Sequence, residues 1–208
     1  FVHYPAQFLK QVKRVLFLGG GDSMILHEVL KYPDLEFVIG MELDQVVVRG
    51  SFKHFRTEPH YDDDRVQWWF GDAANSLKMI PDEYLGTFDL VVVDLLTEVI
   101  NILMVTEELS ILDFSMLLLN DGGILTMNEE RIVVSKAENS QYTVDLEVMG
   151  LPVFCQQSIK MLSNSVDFMT AEPIDHGVER IIVKPGVTKT DSKKFESWWN
   201  YHRNIQHK

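Results

Sequence analysis

Four carboxylates each follow a short apolar run. Asp22 comes after residues 14–18 (RVLFL) and the glycines Gly19, Gly20 and Gly21. Glu42 comes after 36–41 (EFVIGM), Asp72 after 66–70 (VQWWF) and Gly71, and Asp94 after 88–93 (FDLVVV). An acid just past a buried strand lies where open α/β sheets bind their ligands. The glycines let a backbone approach a ligand and expose a helix N-terminus. The pyrophosphate pattern G-x-G-x-x-G fails at its last position, where Met24 stands, and an acid at Asp22 would repel a pyrophosphate. Asp22 suits a cationic group, or it is an N-cap. Glu42, about twenty residues beyond the turn, is placed to accept two ribose hydroxyls. Asp72, in Gly71-Asp72-Ala73, either accepts from an adenine amino group or caps the next helix. Asp94 can orient an amine or take its proton. Asp89 and Asp44 are expected to be structural, Asp44 as a helix cap.

The elements that must position these acids alternate. Strands are expected at 14–18, 36–41, 66–70, 88–93 and 124–127, and helices at 22–31, 45–55, 73–80 and 106–119. Residues 121–123 (DGG) are expected as a turn. Near-continuous apolar strands between helices indicate a parallel sheet covered on both faces. Beyond Arg131 a helix is expected at 151–162 and a closing pair of strands at 166–170 and 179–183. The fold class is α/β: a doubly wound, mostly parallel sheet. The organisation is a nucleotide-binding domain over 1–184 and a polar tail over 185–208, whose Trp198-Trp199 pair packs on the domain or on a partner.

The 208 residues suffice for one domain with a core. A net charge of -12 argues against a nucleic-acid partner, and would mildly attract cationic ligands. The single cysteine, Cys155, excludes an internal disulfide. His27, His54, His60 and His176 lack metal-ligand spacing, so no metal is expected. No apolar run reaches membrane-span length, and no signal peptide is visible. A soluble intracellular compartment, cytoplasm or organelle, is the expectation. A start at Phe1 rather than Met indicates residues upstream.

Taken together, RVLFLGGGD (14–22), HEVLKYP (27–33), MELD (41–44), DDRVQWWFGDA (63–73) and FDLVVVD (88–94) resemble the spermidine synthase, or polyamine aminopropyltransferase, family. The resemblance runs from about Val2 to Val183. It implies a seven-stranded sheet of the S-adenosylmethionine-dependent methyltransferase type, ending in an antiparallel hairpin. It implies decarboxylated S-adenosylmethionine as co-substrate and a small-molecule amine as acceptor. By the same resemblance Gly19, Gly20, Gly21, Asp22, Glu42, Asp72, Ala73 and Asp94 would bind the nucleotide. Glu42 would hold the ribose and Asp72 the adenine amino group. Asp22 and Asp94 would face the aminopropyl ammonium, with Asp94 as the catalytic base.

The chain departs from the family pattern at three places. Ser23-Met24 stands where the family has two glycines. Thr97 stands where it has a second acid, with Glu98 one residue late. The segment Pro173-Ile174-Asp175-His176-Gly177 lacks the family's tyrosine. Glu98 and Asp175 are the candidate replacement acids for the acceptor. Three functions stay open: aminopropyl transfer, a noncatalytic relative acting as a binding or assembly subunit, and methyl transfer from intact S-adenosylmethionine; the expected assembly is a homodimer or a subunit of a larger complex. In a scaffold, Met24, Leu95 or Leu96 would fill the nucleotide pocket.

Overall fold

The computed structural model describes residues 1–127, 142–149 and 156–179. The elements are α1 (His3–Ala6), β1 (Arg14–Gly19), α2 (Met24–Val29), β2 (Phe37–Glu42), α3 (Gln45–Phe55), β3 (Val66–Phe70), α4 (Ala73–Lys78), β4 (Phe88–Asp94), α5 (Thr97–Ile102), α6 (Ile111–Leu118), β5 (Leu119–Met127), β6 (Tyr142–Met149) and β7 (Gln156–Ser163). The strands form one seven-stranded sheet in the order β3-β2-β1-β4-β5-β7-β6. Strands β1 to β5 pair in parallel, and β7 pairs antiparallel with both β5 and β6. The expected doubly wound sheet is present, and it ends in an antiparallel pair, β6 with β7, formed by residues other than those expected.

Burial on both faces explains the apolar strands. Along β1, Val15 and Phe17 pack with Ile25, Leu26 and Val29 of α2. Leu16 and Leu18 pack on the other face with Leu77 of α4 and Ile111 and Leu112 of α6. Gly40 in β2 makes room for this packing: a Cβ there would strike the Phe17 ring and crowd Trp68. Phe17 and Trp68 therefore meet edge to face across it, 5.4 Å apart. Trp68 lies on one face and Trp69 on the other, as a strand requires.

Asp89 is structural. It is buried at the start of β4. Its Oδ2 accepts from the backbone N–H groups of Lys13 (2.8 Å) and Arg14 (2.9 Å). Its Oδ1 accepts from Asn120 Nδ2 at 2.8 Å. The carboxylate thus fixes where β1 begins against β4 and β5.

Several sequence-derived boundaries are corrected. The turn expected at 121–123 lies inside β5 as a bulge: Phe88 pairs with Leu119 and Leu90 with Ile124, so residues 120–123 stand opposite Asp89 alone. The helix expected at 106–119 begins only at Ile111, after a capping box between Ser110 and Asp113. The helix expected at 151–162 is contradicted from 156 on, where β7 runs instead. Its Ile159 and Met161 enter one core and Leu162 the other, a period of two that pairing with β5 enforces. The strand expected at 166–170 is a turn closed on Asp167, whose carbonyl accepts from Thr170 and Ala171 N–H. The partner of β7 is β6, which the sequence reading did not assign. Residues 180–183, the boundary at 184, Cys155 and Trp198-Trp199 lie outside the described residues.

The segment 171–179 returns to α1. Ile174 N–H donates to Gln7 O at 2.6 Å. His176 Nε2 lies 3.0 Å from Ala6 O, and its ring meets Tyr32 edge-on at 5.6 Å. Tyr32 Oη is 2.9 Å from His3 Nδ1, and His3 Nε2 is 2.6 Å from Glu28 Oε2. Burial pushes the His3 imidazole below its ordinary range, against the pull of Glu28.

Two outcomes follow from these contacts. Asp89→Ala strands two backbone donors and should cost about 3 kcal/mol in urea unfolding. Because His3 binds its proton less readily folded than unfolded, its contribution is complete above pH 6.5 and is lost as pH falls below that value. The thermal midpoint should therefore drop between pH 7.5 and 5.5, and drop less in His3→Gln.

Candidate functional site

The four acids come to one edge of the sheet. In register, Gly19 of β1 stands beside Asp94 of β4, and Glu42 of β2 beside Phe70 of β3. These are carboxyl ends of adjacent parallel strands, about 5 Å apart. The chain leaves β1 for β2 on one side and later returns to place β4 on the other. The sheet order therefore reverses between β1 and β4, and a crevice opens there.

The glycine turn is shaped by close contact. Gly19 has φ +81°, and a Cβ on it would collide with the Asp94 carbonyl oxygen. Gly20 also has positive φ, +68°. A Cβ on Gly21 would stand 2.7 Å from Glu42 Oε2 and 2.9 Å from Val47 Cγ1. The turn is thus pressed onto Asp94 on one side and onto Glu42 on the other.

Each acid also has a local task. Asp22, exposed, accepts from Met24 N–H at 3.0 Å, which ties it to the start of α2. Glu42, half-buried, accepts from Asp44 N–H through Oε1 at 3.1 Å. Asp44 in turn caps α3 through Val46 N–H at 2.8 Å, as expected. Asp72 caps α4 through Oδ1, which accepts from Asn75 N–H at 2.9 Å. Among the described residues its Oδ2 has no hydrogen-bond partner, so capping leaves one oxygen for a ligand. Ala73 opens α4 beside it. Asp94 is half-buried at the end of β4. No ion pair among the described residues involves Asp22, Glu42 or Asp72. The edge is an acidic site suited to a cationic, hydroxyl-bearing ligand.

The candidate acceptor acids are placed differently. Glu98 sits exposed in the first turn of α5, four residues beyond Asp94. Asp175 turns its Oδ1 to Gly177 N–H at 2.9 Å, in the segment anchored to α1. Met24 and Leu96 are 49% and 66% exposed, so neither plugs the crevice. Leu95 is half-buried, with Cδ2 3.1 Å from where a Gly19 Cβ would be.

The sequence reading missed α5 and Val47. Val47 backs Gly21 from the first turn of α3, and its position five residues after Glu42 was the available signal. Ser23, singled out for standing where the family has a glycine, holds φ +63°, a glycine-like conformation, while 1% exposed. No group of three or more His, Cys, Asp or Glu among the described residues is placed to hold a metal ion. No helix among them is long and apolar enough to cross a membrane.

Sheet order and the switch between β1 and β4 define a Rossmann-like fold of the methyltransferase type. A family model described as the spermine/spermidine synthase domain matches residues 1–170. The chain belongs to that family. It is 42% identical over 94 residues to a polyamine aminopropyltransferase of Thermoanaerobacter sp. (strain X514), covering 45% of this chain and 32% of that protein. It is 36% identical over 93 residues to an Arabidopsis thaliana spermine synthase, covering 44% and 25%. It is 37% identical over 94 residues to putrescine N-methyltransferase 2 of Nicotiana attenuata, covering 45% and 24%. The match thus spans about a third or less of each relative. The crystal structure of Thermotoga maritima spermidine synthase shares the fold, with a TM-score of 0.61 at 21% identity over 81% of this chain and 59% of that one.

The contact between Gly21 and Glu42 is testable. Gly21 lacks a positive φ, so alanine is tolerated by the backbone but displaces the carboxylate. Gly21→Ala should weaken nucleoside binding about tenfold or more by calorimetry, while the thermal midpoint shifts by only a few degrees.

Proposed function

We propose that this chain is the nucleotide-binding catalytic portion of an aminopropyltransferase of polyamine biosynthesis. The observation that carries this reading is the register of Gly19 beside Asp94 at the switch point, with Asp22 on the same turn. Two carboxylates near a nucleotide's tail favour a terminal ammonium and disfavour a carboxylate. That is the difference between decarboxylated and intact S-adenosylmethionine. Family membership supports the same donor. The reading includes a domain over 1–184 with a tail over 185–208, of which the family match covers residues 1–170.

In this reading the backbone of Gly19, Gly20 and Gly21 lies along the donor's tail. Glu42 accepts from the ribose hydroxyls through Oε2, while Oε1 is held by Asp44 N–H. Asp72 Oδ2 and the start of α4 at Ala73 serve the adenine. Asp22 and Asp94 face the aminopropyl ammonium. The acceptor amine attacks the carbon beside the sulfonium. A C–N bond forms as the C–S bond breaks, the electron pair stays on sulfur, and neutral methylthioadenosine leaves. The proton shed by the new ammonium goes to Asp94. The protein supplies position and a proton acceptor. Glu98 lies on the Asp94 side and is the first choice for the acceptor's distal ammonium, with Asp175 second.

Methyl transfer is the second reading, favoured by the similarity to a putrescine N-methyltransferase at an identity close to that of the spermine synthase. Both readings need the same nucleoside site and differ at Asp22 and Asp94.

Calorimetric titration with decarboxylated S-adenosylmethionine, intact S-adenosylmethionine and methylthioadenosine separates them. The expected order has the decarboxylated donor tightest, weakened about tenfold or more by Asp22→Asn and by Asp94→Asn, with methylthioadenosine affected little. A preference for the intact donor moves the assignment to methyl transfer. Absence of binding by all three, in a folded sample, removes both enzyme readings and leaves an assembly subunit.

A further inference from the structure

β3 is the outermost strand of the sheet, and it is poorly covered. It carries Trp68, Trp69 and Phe70, yet none of its residues is buried, whereas β1, β2 and β4 each bury four or more. The helix beside it, α3, buries only Val48 and Ser51. Large rings stand in the open there: Phe55 is 74% exposed, Tyr61 53% and Phe52 47%. The Trp68 and Phe70 rings lie parallel, 5.8 Å apart. Trp68 Nε1 donates to Pro59 O at 2.9 Å, which holds the loop before β3 against the strand.

The helix α3 is basic in a chain of net charge -12. Arg49, Lys53, His54 and Arg56 are all exposed along α3 and its C-cap. None of them enters an ion pair among the described residues. Arg49 and Glu58 are both close enough to act on the Tyr61 phenol, so that ring lies where the basic helix meets the acidic loop. The acids Glu58, Asp62 and Asp64 lie on the loop beyond the helix, and Asp63 is paired with Arg65. The basic strip is therefore α3 itself.

A patch of exposed aromatics and arginines has the composition of interface hot spots. Its charge selects the occupant. A second copy laid across α3 about a two-fold axis would set Arg49 and Lys53 against their own counterparts. A purely apolar partner would leave Arg49, Lys53 and Arg56 unmatched. We propose that the α3–β3 edge docks an acidic protein segment carrying apolar anchors. Its apolar side chains lie among Phe52, Phe55 and Phe70, and its carboxylates meet Arg49, Lys53 and Arg56, the arginines in two-bond geometry. This surface involves none of the four acids and does not depend on the reaction assigned to them.

The test uses the whole 208-residue chain. The probe is a fluorescein-labelled peptide in which glutamates alternate with phenylalanine and leucine, read by anisotropy. Polyglutamate and a lysine-for-glutamate peptide are the comparisons. The expected result is saturable binding of the acidic apolar peptide, weaker binding of polyglutamate and none of the lysine peptide. Affinity should fall about tenfold or more in Phe55→Ser and in Arg49→Glu/Lys53→Glu, and fall with added salt. All three positions are exposed, so circular dichroism and thermal midpoints should match the parent chain. Absence of saturable binding overturns the proposal. So does equal binding of polyglutamate that Phe55→Ser leaves unchanged. Concentration-dependent dimerisation in sedimentation, abolished by Phe55→Ser, also overturns it in favour of a second copy.

Discussion

Everything at the carboxyl edge depends on how closely the glycine turn approaches its neighbours. Gly19 leaves β1 against the backbone of Asp94, with no room for a side chain between them. That single steric condition places a β1 residue and a β4 acid together at the switch point. Gly21 then closes on Glu42 and Val47 from the other side. The turn is wedged between a backbone carbonyl and a carboxylate, and its remaining open face is the one a ligand can use. At the far ends of the same strands Asp89 has the complementary role, fixing the start of β1 by accepting two of its N–H groups. The two acids of β4 thus set the two ends of the central strands.

The acids at the edge serve the fold and the site together. Asp22, Glu42 and Asp72 each give one oxygen to a nearby backbone N–H. A cap and a ligand contact are therefore compatible readings of one carboxylate, because each oxygen points its lone pairs separately. Holding the first oxygen in a backbone hydrogen bond orients the second before any ligand arrives. The cost of leaving these charges unpaired is modest, since they are exposed or half-buried and water still reaches them.

What was legible in the sequence was whatever local pattern alone decides. The first four parallel strands and α3 emerge nearly to the residue, because runs buried on both faces are apolar throughout and Asp44 marks its helix. What failed was decided by distant partners. The stretch that becomes β7 carries enough apolar residues for either period, and only its pairing with β5 selects two. The DGG bulge reads as a turn because its glycines permit one, while Asp89 and Asn120 hold it in the strand. The position of Asp175 was illegible for the same reason. It depends on Ile174 and His176 docking on α1, contacts formed across more than 160 residues of chain.

That docking has a mechanical side. The hydrogen bonds from Ile174 to Gln7 and between His176 and Ala6 lie between the two ends of the described unit. A pull applied at residue 1 and residue 179 would load these few bonds first, one after another, as a zipper is opened. The central sheet would carry tension only after they had parted. The clasp therefore acts as a fuse, letting segment 171–179 peel away while the strands that hold the acidic edge keep their register.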